Sequence, residues 1–505
     1  MAPQSVSTLQ AELNRIEQRI AKFDRTISTI EWRLYAGRPA GASEPWINAR
    51  ARFLAPRSIG DWVERARRLV PTDHRLARRL ELLERLHFDA ASEQYPSVVR
   101  LRSRLQRRIV AFRPRFRGKR VDRAGLHDEL RRNPDRAVRE EAYRAEDELW
   151  SVLEPELRAL IRVRNARARA LGFHDYPELR LKFEGIGVGE LRRLCAEAVE
   201  PLGQKIRKIR EEFLSTAGQG EWFPWDLRFA QERRAGLPSG PFPGGRMVPA
   251  VRAALRQWGL PMGRLPIRVT LQDIPFGGLT FGIRIPTDIR ILIPPKGGWD
   301  WYSVGFHEFG HAVHFSLIRQ PGHLLRSPDV GFAGFVEGIA DLFEEVSVDP
   351  SWLRGRPGLT ASAVDNFRAG RALSDLVQAA STTNWVSIEL ELYRNPAAEL
   401  TPVSARRLRG LFGFGRYVPR SFIQTTLVTH PVYNQSYLLS LLFRKQLVQA
   451  IHRQVGGSLW PNARVGPWLT ENWFAPGAEF DWIPRVREVT GRPFGTRAFL
   501  ESVRG

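Results

Sequence analysis

The chain has 505 residues, 43% hydrophobic and 26% charged, the balance of a folded globular protein rather than a disordered one. It has no run of eighteen apolar residues, no basic-then-apolar start and a single cysteine, Cys195. This argues against a membrane-spanning helix, an export signal, an intramolecular disulfide or a cysteine-cluster metal site, so a cytoplasmic protein is expected. The formal charge of +23 comes almost wholly from arginine, since only seven of the 77 basic residues are lysines.

In chain order, Leu9, Leu13, Ile16, Ile20, Phe23, Ile27, Ile30 and Leu34 recur in steps of four and three, predicting a long helix with an apolar seam that ends before Gly37. Further helices follow, punctuated by Pro56, Pro71, Pro96 and Pro114. The densest basic run, Arg102 to Arg120, reads as a solvated face before it reads as a phosphate-binding patch. Residues 137–171 are expected to form one long helix, and Trp222 to Gly245, rich in Pro, Gly and Trp, an irregular surface excursion. Three short strands come next: Ile267–Leu271, Leu279–Ile285 and Ile289–Ile293. After Trp301 the pattern is helical throughout. The fold class is mainly α with one small sheet.

The chemistry concentrates in His307-Glu-Phe-Gly-His311, an HExxH string on an expected helix. Residues four apart share a helix face, so His307 and His311 can present two imidazole nitrogens to one ion, and Glu308 stands to the side as a base toward water. A catalytic zinc site commonly adds a third protein ligand. Glu337, 26 residues after His311 in Gly334-Phe-Val-Glu-Gly-Ile-Ala-Asp341, is the candidate. Asp341, one turn on, is placed to accept the free N–H of a ligating histidine. Glu344 and Glu345 are weaker ligand candidates. A metzincin's third histidine would fall at Leu317, which excludes that pattern, and His314 reads as a packing residue.

His307-Glu-Phe-Gly-His-Ala-Val-His314 followed by Phe335-Val-Glu-Gly-Ile-Ala-Asp341 resembles the oligopeptidase group of zinc peptidases. That group includes thimet oligopeptidase, oligoendopeptidase F and, more distantly, angiotensin-converting enzyme and bacterial carboxypeptidases; the Glu-x-x-x-Asp spacing is nearest to the converting-enzyme branch. Thr429-His-Pro-Val-Tyr-Asn-Gln-Ser-Tyr437 is similar to the group's C-terminal substrate-facing segment, and Arg164 to Tyr176 to its helix-to-turn element. The resemblance implies a gluzincin-type, two-lobed helical ellipsoid with a deep channel and one Zn²⁺ per chain. It implies hydrogen-bond donors to an oxyanion among His430, Tyr433 and Tyr437, with Tyr437 preferred. It also implies one peptidase unit: an N-terminal helical cover over about 1–135, and a catalytic region over 136–505 with the zinc site in 300–348 and the substrate segment in 425–452.

Small residues at Gly277, Gly278, Leu279 and Thr280 suit an edge strand that pairs with a substrate backbone. The expected activity is hydrolysis of short unstructured peptides, Glu308 serving as general base. Two rivals stand beside it: a carboxypeptidase or dipeptidyl carboxypeptidase of the same fold, and a basic nucleic-acid-binding protein with a vestigial zinc site.

Overall fold

The computed structural model describes residues 5–70, 73–121, 123–145, 147–217, 220–274, 277–327, 333–417 and 425–504. Helix α1 (Val6–Tyr35) starts where the Ser5 hydroxyl accepts the Thr8 N–H, and it buries Leu9, Leu13, Ile20 and Phe23 as the seam requires. The seam fails at its end: Leu34 is 61% exposed, and Trp32 is buried instead against the sheet.

Two expectations are corrected. The stretch 137–171 is not one helix but α3 (Arg136–Arg144) and α4 (Asp147–Ala170), which follow α2 (His74–Glu93). They part because they serve different cores. Val138 and Ala142 of α3 pack with Trp225 in a small satellite cluster, whereas Leu153, Leu157 and Leu160 of α4 enter the main core. The stretch 222–245 is not an excursion. Trp222 is fully buried and its indole N–H donates to Phe412 O at 3.0 Å, while Pro224 opens helix α5 (Pro224–Ala235) at the position where proline's missing N–H costs nothing. Only its last third is irregular.

Much of the arginine is structural. Arg164 of α4, fully buried, donates to both oxygens of Glu93 at 2.9 and 3.0 Å and to the carbonyls of Leu427 and Val428 at 2.7 and 3.0 Å. Arg139 reaches the buried carboxylate of Asp226 at 2.6 Å, and Arg79 reaches Glu17 at 2.6 Å. The planar guanidinium, with five donors, satisfies several acceptors at once where a lysine could not. Within the basic run, Arg102 pairs with Glu93 and Arg108 with Glu156.

Strands β1 (Ile267–Leu271), β2 (Leu279–Arg284) and β3 (Asp288–Ile293) form a sheet in the order β1-β3-β2, parallel between β1 and β3 and antiparallel between β2 and β3. Beneath one face lies α6 (Trp299–Leu317), which carries the HExxH string; on the other, Trp32 and Tyr35 of α1 pack with Leu279, Phe281 and Ile283. Strand β2 is the edge, and among the described residues its backbone bonds to no element but β3. Helix α7 (Ala333–Ser347) crosses α6 so closely that a Cβ at Gly310, inside the HExxH string, would lie 2.8 Å from Ala340 Cα. Helices α8 (Ala361–Arg394) and α9 (Asn434–Ala450) complete the core behind α7. Helix makes up 69% of the chain, the mainly α fold with a small sheet that the residue pattern indicates. No helix among the described residues is long and apolar enough to cross a membrane.

Candidate active site

The HExxH residues and Glu337 meet because α6 and α7 pack backbone to backbone at Gly310. His307 Nε2 and His311 Nε2 face each other at 3.1 Å, and Glu337 Oε2 lies 3.5 Å from His307 Nε2. The other ring nitrogen of His307, Nδ1, faces carboxylates: Glu344 Oε1 at 2.8 Å and Asp341 Oδ1 at 3.4 Å. A proton held on Nδ1 by Glu344 leaves the Nε2 lone pair pointing at a second imidazole nitrogen and a carboxylate oxygen, a convergence that a cation relieves. Tetrahedral zinc with ligand bonds of about 2.0–2.1 Å sets its ligand atoms about 3.3 Å apart, which the observed 3.1 and 3.5 Å bracket. The residues present therefore fit a metal of the zinc type. His307, Asp341 and Glu344 form a second close group, but its histidine atom is the Nδ1 already bonded to Glu344.

The electrostatics divide the donor set: burial would lower the His307 imidazole, but Asp341, Glu337 and Glu344 hold it well above its ordinary value, whereas Glu337 and His311 move toward their metal-binding forms. Burial would raise the Glu337 carboxyl, but His307, His311 and the Tyr433 hydroxyl hold it down at about 2. Burial pulls the His311 imidazole down to about 4, with the nearby charge of His307 adding to the effect. Both groups thus favour the deprotonated forms that bind metal.

Glu308 lies beside this cluster, 7% exposed, and its own burial raises its carboxyl above the usual range. The Thr280 hydroxyl of β2 holds it, reaching Glu308 Oε2 at 2.7 Å and the Glu308 carbonyl at 3.0 Å. Gly278 leaves it room: a Cβ there would come 2.5 Å from Glu308 Cγ. Both residues touch the carboxylate expected to act as base, and Gly278, Leu279 and Thr280 line a cavity of about 930 Å³ together with His307, Glu308, His311 and Glu337. Gly277 is exposed and stands beside Val304.

The residues of 429–437 divide. The Tyr433 hydroxyl donates to Glu337 Oε1 at 3.0 Å. Tyr437, 39% exposed, packs edge-on against Tyr433 with ring centroids 5.6 Å apart. Its hydroxyl is pushed up by burial and by the charges of Glu337 and Asp341, which places it within electrostatic reach of the cluster. His430 is exposed, bonded to the Thr429 hydroxyl at 2.8 Å, and makes no contact with the proposed ligands among the described residues. His314 is fully buried among Phe315, Phe335 and Phe474, a packing residue as its place in the string indicates.

Helix α1 closes one side of the cavity, contributing Ala21, Asp24, Arg25, Ile27 and Ser28. Two carboxylates fasten it there. Asp24 binds Arg50 at 2.6 Å and His323 Nε2 at 2.7 Å; Glu17 accepts the His323 N–H at 2.8 Å. Neither anchor is legible in the residue pattern, because the partner they share, His323, lies 306 and 299 residues away.

The HExxH helix lies beneath a small sheet and packs against the helix that carries Glu337, in a mainly helical chain. No protein-family model matches the sequence, and no curated protein matches it. Solved structures do. A carboxypeptidase from Pyrococcus furiosus matches with a TM-score of 0.68 at 16% identity, over 100% of this chain and 99% of that one. An M32 carboxypeptidase from Deinococcus radiodurans R1 matches with a TM-score of 0.68 at 14% identity, over 99% of this chain and 98% of that one. At these identities the likeness is one of fold, and it extends over essentially the whole chain.

Proposed function

We propose that the protein is a zinc-dependent metallopeptidase that removes residues from the C-terminal end of peptides. The observation that carries the reading is the convergence of His307, His311 and Glu337 beside Glu308 within one cavity. The fold shared with two carboxypeptidases supports C-terminal trimming over the internal cleavage suggested by the oligopeptidase motifs.

Zn²⁺ at these three ligands supplies Lewis acidity, polarising a carbonyl and lowering the pKa of water. The chain does the rest. Glu308, held by Thr280, takes a proton from the attacking water and returns it to the leaving amine. The Tyr437 hydroxyl, on a side chain packed against Tyr433 beside the ligands, donates to the oxygen on which charge develops. The unpaired edge of β2 offers backbone groups to an extended peptide. Arg25 and Arg284 line the cavity and form no ion pair among the described residues, which makes them candidates to hold a terminal carboxylate.

Internal cleavage is the second reading, favoured by the length of the free β2 edge. Peptides with free and amidated C-termini, incubated with wild type and Glu308→Gln and read by mass spectrometry, separate the two. Chelator-sensitive loss of C-terminal residues from free-acid peptides by wild type alone supports the proposal. Equal cleavage of amidated peptides at internal bonds replaces it with the second reading, and full activity of Glu308→Gln removes both.

A further inference from the structure

Helix α7 presents Glu337, Asp341 and Glu344 at positions i, i+4 and i+7, one stripe of carboxylates lying along the ring of His307. The spacing places Asp341 as the acceptor of the Nδ1 proton, and the structure brings Glu344 to the same nitrogen. Distance separates them. Glu344 Oε1 is 2.8 Å from Nδ1, within the range of an N–H···O bond, whereas Asp341 Oδ1 at 3.4 Å is outside it. The second oxygen of Glu344 is also engaged: it accepts the Ser303 hydroxyl at 2.8 Å, and Ser303 is a buried residue one turn before His307 on α6. The Glu344 carboxylate is thus clamped by two groups from one face of the HExxH helix. Asp341 is the more distant of the two neighbours of Nδ1, and both carboxylates favour the proton there.

The other imidazole lacks any such support. His311 Nδ1 is buried and has no hydrogen-bond partner among the described residues. Orientation of the histidine pair therefore enters through His307 alone.

We infer that Glu344, clamped by Ser303, is the residue that fixes the tautomer and ring orientation of His307, and that Asp341 does not carry this task. Glu344 is a positioning residue: it acts on the metal through His307. The inference rests on the metal-site reading above and names the support on which metal affinity depends. Second-sphere carboxylates of this kind commonly change metal affinity about 10–100-fold.

The test is zinc affinity by competition with a chromophoric chelator, for wild type, Glu344→Gln, Asp341→Asn and Ser303→Ala. It is joined to ¹⁵N spectra of histidine-labelled protein, which report where the imidazole proton sits. Glu344→Gln is expected to weaken zinc binding about 10–100-fold and to alter the His307 Nδ1–H signal, and Asp341→Asn to change affinity less than about threefold. If Glu344→Gln fails to fold, Ser303→Ala decides: a loss of several-fold, with the His307 signal altered, supports the inference. Wild-type affinity and an unaltered signal in both variants, or a larger loss in Asp341→Asn, overturns it. Absence of zinc binding by wild type overturns the metal-site reading itself, and this inference with it.

Discussion

The Tyr433 hydroxyl donates to Glu337 Oε1 at 3.0 Å while Glu337 Oε2 faces His307 Nε2 at 3.5 Å, so the proposed third ligand is held from both sides. Tyr433 is therefore committed to the carboxylate, and the proposed mechanism gives the oxyanion to Tyr437, packed edge-on against it. The two substitutions to phenylalanine should differ in kind. Tyr433→Phe removes a hydrogen bond to a charged group, worth about 1.5–3 kcal/mol, and should weaken zinc binding about tenfold or more. Tyr437→Phe should leave affinity unchanged and lower kcat about 100-fold, as loss of an oxyanion donor does. Metal titration and steady-state kinetics on both variants check the division.

Gly278 leaves no room for a side chain beside Glu308. With a Cβ at 278 only 2.5 Å from Glu308 Cγ, Gly278→Ala must push the carboxylate off its bond to Thr280. The variant should lose at least about tenfold in kcat, the scale set by a misplaced catalytic group, with zinc content and melting temperature near wild type. An unchanged kcat would show that Glu308 needs no such seat.

Stability should carry a signature of Glu184. This fully buried carboxyl accepts the Gly334 N–H at the start of α7 at 2.6 Å, and burial pushes it up to about 7. A folded-state pKa above the unfolded value means that the group favours the fold fully below about pH 4.5 and that this contribution disappears as pH rises through about 7. The span corresponds to at most about 3 kcal/mol. Glu184→Gln should therefore flatten the pH dependence of stability between pH 5 and 8 relative to wild type. Urea unfolding at several pH values measures this; parallel curves for the two proteins would contradict it.

Arg164→Lys tests whether the arginine is structural. Lysine cannot hold both Glu93 oxygens and the carbonyls of Leu427 and Val428, so buried acceptors are left unpaired. A loss of about 1–3 kcal/mol or more in unfolding free energy is expected, the range for leaving a buried acceptor unpaired. A change near zero would return the basic charge to a surface role.

What was legible in the residues was what depends on short spacing. HExxH places two imidazoles on one turn, and three alternating segments gave the sheet with its order of strands left open. The seam of α1 was readable as far as Phe23, beyond which Trp32 turns to the sheet through a contact that spans about 250 residues. The spacing points to Asp341 as the partner of the ligating histidine; that Glu344 reaches the same nitrogen, with Ser303 on its second oxygen, depends on how two helices pack and is not legible in one of them. Pro224 was read as a loop signal because proline opens helices and breaks them alike; burial of Trp222 and Asp226 settles which it does here. The partners of Arg164 and Arg139 are likewise set by packing at long range.

The fastening of α1 has a consequence for how the molecule comes into being. Glu17 and Asp24 reach His323 across 306 and 299 residues, and Arg78 reaches the carbonyl of Ala478 across 400. A chain emerging from the ribosome completes the covering helix long before it possesses His307, His311 or the loop to which the cover is tied. Contacts so distant in sequence form late. The cleft is thus walled only after the chain has grown past His323, and a nascent chain that stops before His307 carries this helix without the residues that would hold a metal.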